Sequence, residues 1–349
     1  MNNEVDNGIW NLINELSAKQ GITEIIINGP KSVFIEKEGV FSQLNVVISK
    51  KDVMEFIKEV ATFNRKRCDM DHPIMDGNLP DGSRINIMSE PFAKGFPAIT
   101  IRKYLKFLKS FDGNKNLFNL GDYWVTFLKS LVKSRQNIIV SGGTGVGKTT
   151  LINLLLQEVD HTERIVIIED TIEISLTHQN CVRLETNIFG NVEKPTLTVR
   201  DMVKNSLRMR PDRIVVGEVR GGEVFDLLQA MNVGHDGSMA SIHSNSASEC
   251  LQRMESLYLL SGNPSPLNAV RKQISAAVDF IIQLNKTRDG KRIVESISEI
   301  TGMDGDTISL QDIAVFKDDA LARTGMVPSN MKILHQRSGI PLDYMSFNE

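Results

Sequence analysis

The first regular pattern in the chain is a series of short apolar runs broken by turn-forming residues. TEIIINGP, KSVFIEKEGV and FSQLNVVIS, spanning 23–50, read as strands punctuated by Gly/Pro and Gly. KKDVMEFIKEVATFN then spaces apolar residues near i, i+3 and i+4, the stripe of a helix. RINIMSE and PAITIRKY follow as two more strand-like runs around PFAKGF. Together they predict an α+β domain over residues 1–104. LKFLKSFDGNKNLFNLGD has Gly, Asn and Lys but little periodicity, so 105–118 reads as a linker with the boundary near residue 115.

From residue 120 the pattern changes. DYWVTFLKSLVKSR reads as helix, and NIIVS is an apolar run suited to a buried parallel strand. A Gly-rich turn leads into helix KTTLINLLLQEV, then strand RIVIIED, helix LTVRDMVKNSLRM, strand DRIVVGE and helix EVFDLLQAMN. Helices alternating with β-branched runs predict an α/β domain with a parallel sheet over 119–349.

Composition narrows the class. At 349 residues, two domains are expected, and 41% hydrophobic with 24% charged residues supplies a core and argues against disorder. A net charge of −3 gives no general reason to expect nucleic acid as a partner. Cys68, Cys181 and Cys250 are scattered, odd in number and without metal spacing, as expected of reduced thiols. No apolar run approaches the roughly 20 residues that span a bilayer. MNNEVDNGIWNLINELSAKQ carries acids where a signal peptide carries bases. A cytoplasmic protein able to dock on a membrane protein is the expectation.

SGGTGVGKTT, residues 141–150, holds the chemistry. Gly142, Gly147, Lys148 and Thr149 meet the Gly-x4-Gly-Lys-[Ser/Thr] pattern, with an apolar strand before and helix formers after. Glycines at 142, 143, 145 and 147 permit positive φ and let N–H groups of the loop (Gly143, Thr144, Gly145, Val146, Gly147, Lys148, Thr149 and Thr150) converge on phosphate oxygens. Lys148 places a positive charge on the β/γ-phosphates, the Thr149 hydroxyl ligates Mg²⁺, and the helix N-terminus adds its dipole.

A phosphate loop of this kind needs a carboxylate at a neighbouring strand end for the metal. DRIVVGEVRGGE offers Glu218, with no Asp at the usual strand end. EDTIE, after RIVII, supplies Glu169, Asp170 and Glu173. The carboxyl ends of parallel strands are where ligands bind, and a carboxylate there can polarise the attacking water. Glu173 is favoured, with Glu169 the competitor. In GHDGSMASIHSNS, His243 lies among Ser241, Ser244 and Ser246 and can sense the γ-phosphate by hydrogen bonding; His235 can serve likewise or cap a turn.

These motifs, in order, resemble those of the ATPases of type II and type IV secretion and of type IV pili. GGTGVGKTT is similar to their Walker A, IEDTIE to the Asp box, PDRIVVGEVRGGE to Walker B and GHDGSMASIHSNS to the His box. DGNLPDGSRINI, the stretch from RDMVKNSLRMR to IHSNS, and DGKRIVESISEITGMDGDTISLQDIAVF most resemble the CpaF-type subgroup of tight-adherence (Tad/Flp) pili. The likeness covers about residues 20–318; the subgroup often has a long N-terminal helical extension, and the end of this chain resembles it only loosely. The resemblance implies a RecA-like P-loop domain preceded by a smaller PAS-like α+β domain, a homohexamer and ATP hydrolysis with Mg²⁺. It also implies work on an inner-membrane platform protein from the cytoplasmic face. Carried residue by residue, Lys148 and Thr149 match the nucleotide lysine and metal-ligating Thr, Glu218 the Walker B acid, Glu173 the catalytic acid and His243 the γ-phosphate sensor. Arg84 in DGSRINI and Arg102 in AITIRKY match the arginines that the N-terminal domain lends to the nucleotide. A guanidinium suits the charge that builds on the γ-phosphoryl oxygens. The work so implied on the platform protein is assembly of a Tad or type IV-like pilus, with retraction also open, or protein secretion. A conjugative secretion or pilus-retraction motor, a nucleic-acid motor and a nucleotide-holding regulatory module are the rival expectations; the acidic net charge and the His box argue against nucleic acid.

Overall fold

The structure is a computed structural model that describes residues 8–19, 21–37, 40–103, 110–111, 117–186 and 197–344. The chain divides into two compact units, Met1–Lys106 and Phe107–Glu349.

The first unit comprises α1 (Ile9–Ala18), β1 (Ile22–Gly29), β2 (Ser32–Lys37), β3 (Val40–Leu44), α2 (Lys50–Phe63), β4 (Ile74–Asn78), β5 (Arg84–Met88) and β6 (Ala98–Arg102). Its six strands pair antiparallel in the order β3-β2-β1-β6-β5-β4. Side-chain alternation divides the faces. Ile25, Ile27, Ile85, Ile87, Ile99 and Ile101 are buried with Ile13, Phe56 and Ile57 of the two helices. Glu24, Arg84, Asn86, Thr100 and Arg102 occupy the alternate positions, on the opposite face. Helix α2 starts at Ser49, whose side chain accepts from the Asp52 N–H, a standard N-cap.

The second unit runs α3 (Asp122–Lys133), β7 (Ile138–Gly142), α4 (Lys148–Leu156), β8 (Ile165–Glu169), β9 (Cys181–Glu185), α5 (Val199–Ser206), β10 (Arg213–Val216), α6 (Glu223–Asn232) and β11 (Met239–Ile242). It continues with α7 (Ala247–Leu259), α8 (Leu267–Ala277), β12 (Phe280–Lys286), β13 (Arg292–Asp304), β14 (Thr307–Lys317), β15 (Ala320–Arg323) and α9 (Met331–Ser338). The nine strands form one sheet, β15-β14-β13-β12-β7-β11-β10-β8-β9. From β12 to β9 all pairings are parallel. The expected parallel sheet is extended at the other edge, where β13, β14 and β15 add antiparallel. The reason is local: Gly290 N–H donates to Thr287 O and Thr287 N–H to Lys291 O, a tight turn that returns the chain as a hairpin rather than a crossover.

Both faces of the parallel strands are covered, which is why their sequences are continuous apolar runs. Ile138, Val140, Ile165 and Ile167 pack with Trp124, Phe127, Leu131, Leu151 and Leu155 of α3 and α4. Ile139, Val166 and Ile168 point the other way, onto Leu227, Leu228, Met254 and Ile274 of α6, α7 and α8. Phe111 and Phe118, inside the expected linker, are buried in the first of these layers. Positions 105–109 and 112–116 of that stretch lie outside the described residues. The C-terminal stretch also joins this layer: Met331, Leu334 and Ile340 are buried in it, and Tyr344 stacks on Tyr123 with ring centroids 4.5 Å apart.

At the amino ends of the strands lies a wholly buried guanidinium. Arg213 donates from Nε and Nη2 to the Glu163 carboxylate at 2.8 and 2.9 Å, and from Nη2 to Val132 O at 2.9 Å. Gly237, at φ 83, makes room for it, since a Cβ there would lie 2.4 Å from Arg213 Nη1. Removing one partner of a buried pair leaves a charge poorly solvated. Glu163 would retain Arg135, 3.6 Å away, so the loss falls at the low end. Arg213→Ala is expected to destabilise the second unit by about 3 kcal/mol, read as a lower urea midpoint; an unchanged midpoint refutes it.

Candidate functional site

Strand β7 ends at Gly142 and α4 begins at Lys148, so the phosphate-loop sequence forms the turn between them. Gly142, Gly145 and Gly147 have φ of 158°, 71° and 102°. A side chain at Gly142 would meet Val146 Cγ2 at 2.7 Å and Leu284 O at 2.8 Å; one at Gly147 would meet Phe118 Cε1 at 2.8 Å. Gly143 departs from expectation: it is not among the positive-φ glycines, and a Cβ there would have its nearest neighbour at 3.9 Å. Neither conformation nor space demands glycine at 143. Lys148 curls over the loop, its Nζ donating to Gly142 O and Gly143 O, both at 2.8 Å.

Parallel register decides what surrounds the loop. Ile168 pairs with Val216, Val216 with Ala240, and Ile242 with Ser141. Glu169, Glu218, His243 and the phosphate loop therefore emerge on one rim, at the carboxyl ends of β8, β10, β11 and β7. Ser241 ties two of these strands together by donating to Gly217 O at 2.6 Å.

The two competing acids of EDTIE differ in environment. Glu169 is 4% exposed, and its Oε1 accepts the N–H groups of Glu173 and Ile174 at 3.1 and 3.0 Å. Burial pushes its carboxyl up to about 7 in spite of those donors. Gly217 accommodates it, because a Cβ there would lie 2.8 Å from Glu169 Cγ. Glu173, half-buried, instead faces the phosphate loop: its Oε2 accepts from Thr149 Oγ1 at 3.1 Å.

Glu218 is half-buried as well. Burial works to raise its pKa, but the hydrogen bond and charge of Arg220, with the charges of Lys148 and His243, carry it below the ordinary value. Arg220, which sequence reasoning missed, donates to Glu218 Oε2 at 2.7 Å and to Asp170 Oδ2 at 3.3 Å. The available signal was a cation two residues beyond an acid at a strand end. His243 follows β11 directly and is exposed. His235 does not join the site: it precedes β11, at the other end of that strand, where its Nδ1 lies 3.1 Å from Ala230 O and closes α6.

Arg84 and Arg102 belong to the first unit and are directly paired across β5 and β6, with Glu24 opposite Arg102 on β1. Like charges directly opposite are unfavourable in a sheet, and Glu24 beside Arg102 offsets part of that cost.

The oxygen donors of Thr149, Glu173 and Glu218 suit Mg²⁺, which takes one or two carboxylates together with phosphate oxygens and water. Among the described residues no cluster of three or more His, Cys, Asp or Glu could hold a metal unaided. The donor set fits a cation that arrives with a phosphate ligand.

The Type II/IV secretion system protein family matches residues 9–303. The chain belongs to that family. Its relatives include the conjugal transfer protein TrbB of Rhizobium radiobacter, 33% identical over 305 residues, spanning 86% of this chain and 90% of the relative. The type IV secretion system protein VirB11 of Bartonella quintana is 29% identical over 315 residues, covering 79% and 88%. Among solved structures, the pilus retraction motor PilT with bound ADP has a TM-score of 0.60 at 20% identity, over 95% of this chain and 88% of that one. That likeness bears on the fold, which is RecA-like in the second unit. No helix among the described residues of this family member is long and apolar enough to cross a membrane.

Glu169 makes stability depend on pH. Its folded value of about 7 lies above the ordinary 4.5, so the folded chain binds the extra proton between those values. Stability is full below about 4.5 and falls as pH rises through about 7, by at most about 3 kcal/mol. Glu169→Gln should flatten the thermal stability of the second unit between pH 5 and 8; a slope equal to that of the parent excludes Glu169 as its source.

Proposed function

We propose that this chain is a homohexameric motor that hydrolyses ATP and works on an inner-membrane platform protein from the cytoplasmic face. The observation that carries the reading is the 3.1 Å contact between Thr149 and Glu173, on a rim shared with Glu218 and His243. It joins a phosphate loop to a carboxylate that can serve as base.

In this reading the loop from Gly143 to Thr150 holds the triphosphate. Lys148 exchanges its two carbonyl acceptors for β/γ-phosphate oxygens. Thr149 and Glu218 hold Mg²⁺, which supplies positive charge beside the phosphates when bound. Glu173 orients the attacking water and takes its proton. His243 hydrogen-bonds the γ-phosphate and registers its departure. Residues 1–104 lend Arg84 and Arg102, whose guanidinium groups stabilise the charge developing on the phosphoryl oxygens. Residues 119–349 act as the catalytic domain. Nucleotide drives closure because it binds better when both arginines reach it, and hydrolysis removes the charge they hold.

The Tad-like stretches DGNLPDGSRINI and RDMVKNSLRMR favour assembly of a tight-adherence pilus. One observation favours conjugative secretion instead: the 33% identity with TrbB. A Lys148→Ala substitution in the host organism separates them. Loss of surface pili with DNA transfer intact supports the pilus motor, and the converse assigns the machine to conjugation. A nucleic-acid motor would betray itself by hydrolysis that nucleic acid stimulates and salt suppresses steeply.

For the purified protein, Lys148→Ala should abolish phosphate release, and Glu173→Gln should lower kcat by about 10²- to 10⁴-fold while nucleotide still binds. Arg84→Ala and Arg102→Ala should each lower kcat by at least about 10-fold, a loss of roughly 1.4 kcal/mol of transition-state stabilisation. Turnover unchanged by Lys148→Ala sinks the enzyme reading, turnover unchanged by Glu173→Gln removes Glu173 as the base, and a parent protein that binds nucleotide without releasing phosphate is a nucleotide-holding module.

A further inference from the structure

Arg220 sits where three carboxylates converge. Its guanidinium spans Glu218 Oε2 at 2.7 Å and Asp170 Oδ2 at 3.3 Å, within the field of Glu173. The side chain is 60% exposed, whereas its backbone is fixed. Arg220 N–H and Gly221 N–H donate to Glu223 Oε1 at 2.6 and 2.8 Å, and Glu223 is buried at the start of α6. A fixed backbone thus carries an exposed fork, planar and always charged, whose geometry matches two carboxylates at once.

Resting on the nucleotide reading above, we propose that Arg220 is a positioning residue that competes with the divalent cation for Glu218. Cation uptake and the release of Arg220 from Glu218 are therefore one linked equilibrium. Both ligands need the same acceptor oxygens, and a carboxylate oxygen engaged at 2.7 Å by a guanidinium is a poor donor to a metal. Asp170 is the other half of the device. It keeps the displaced guanidinium on the rim, so that the arginine returns to Glu218 when the cation leaves. The charge of the three acids is thereby offset in part by Arg220 alone, and in full by Arg220 and the divalent cation together. The linkage is reciprocal, so whatever holds Arg220 onto Glu218 weakens cation binding by the same factor.

The test uses the full chain with mant-ADP as nucleotide and Mn²⁺ as cation, read by nucleotide fluorescence and by electron paramagnetic resonance of free Mn²⁺. Arg220→Gln should tighten Mn²⁺ by about two- to fivefold, the range that exposed ion pairs span, with mant-ADP affinity in EDTA unchanged. Arg220→Lys keeps the charge but cannot bridge two carboxylates, and should give an intermediate affinity. Equal or weaker Mn²⁺ binding in the Gln variant overturns the inference, as does a Lys variant identical to the parent, which would reduce the effect to the field of a charge. A drop in metal-free mant-ADP binding in the Gln variant also overturns it, assigning Arg220 to the phosphates. A parent protein that takes up no mant-ADP overturns the nucleotide reading and the inference together; one that binds it normally confines any failure to Arg220.

Discussion

The parallel pairing of β8, β10, β11 and β7 is the constraint on which the site depends. Each pairing holds neighbouring strands in a set register, so the residues that follow their last paired positions leave the sheet side by side. The acids, the histidine and the phosphate loop are at least 19 positions apart from one motif to the next, yet they meet because the strands preceding them are in step. Burial on both faces enforces that register. A slip of one residue in β8 would exchange Ile165 and Ile167 with Val166 and Ile168 between two different hydrophobic layers, and would draw Glu169 away from Gly217. Core packing and site geometry are thus the same specification read at two places along each strand.

A second consequence of the rim is electrostatic. Four acids, Glu169, Asp170, Glu173 and Glu218, crowd into a small region, and each is stabilised differently: backbone N–H groups for Glu169, a hydroxyl for Glu173, and a shared guanidinium for Asp170 and Glu218. Lys148 adds a cation whose reach extends to Glu218. The balance matters because a phosphate ligand brings negative charge of its own. Lys148 and the loop N–H groups have to offset it while the acids remain close enough to hold a cation and a water.

Much of this was legible in the chain, and the reasons are physical. The strand and helix stripes of 122–232 are strong because both layers of the second unit bury large apolar surfaces, so the periodicities survive unmixed. The phosphate loop is legible because Gly142 and Gly147 have no room for a side chain. Helix α1 is not among the elements expected from sequence, although Ile9, Leu12, Ile13 and Leu16 form an i, i+3, i+4, i+7 stripe. Strand β4 was hidden by its composition: Asp76, Gly77 and Asn78 are poor strand formers, and the segment pairs only with β5 at an edge. Gly143 shows the opposite error, a glycine credited with a conformation that it does not adopt. Arg220 could not be assigned from sequence, because its two partners come from different strands and only the fold brings them together.

Glu169 and Glu173 show why residue type alone could not settle the acids. They are chemically identical and four positions apart. Glu169, buried in the turn and pushed up to about 7, spends its oxygens on the N–H groups of Glu173 and Ile174. In doing so it sets the path of the backbone that aims Glu173 at Thr149. One acid is therefore committed to the backbone of the turn and the other to the phosphate loop, and their environments rather than their spacing divide them. The same division explains Gly217. Its missing side chain is space for the supporting acid, so a glycine beside the Walker B-like glutamate serves a carboxylate on the neighbouring strand.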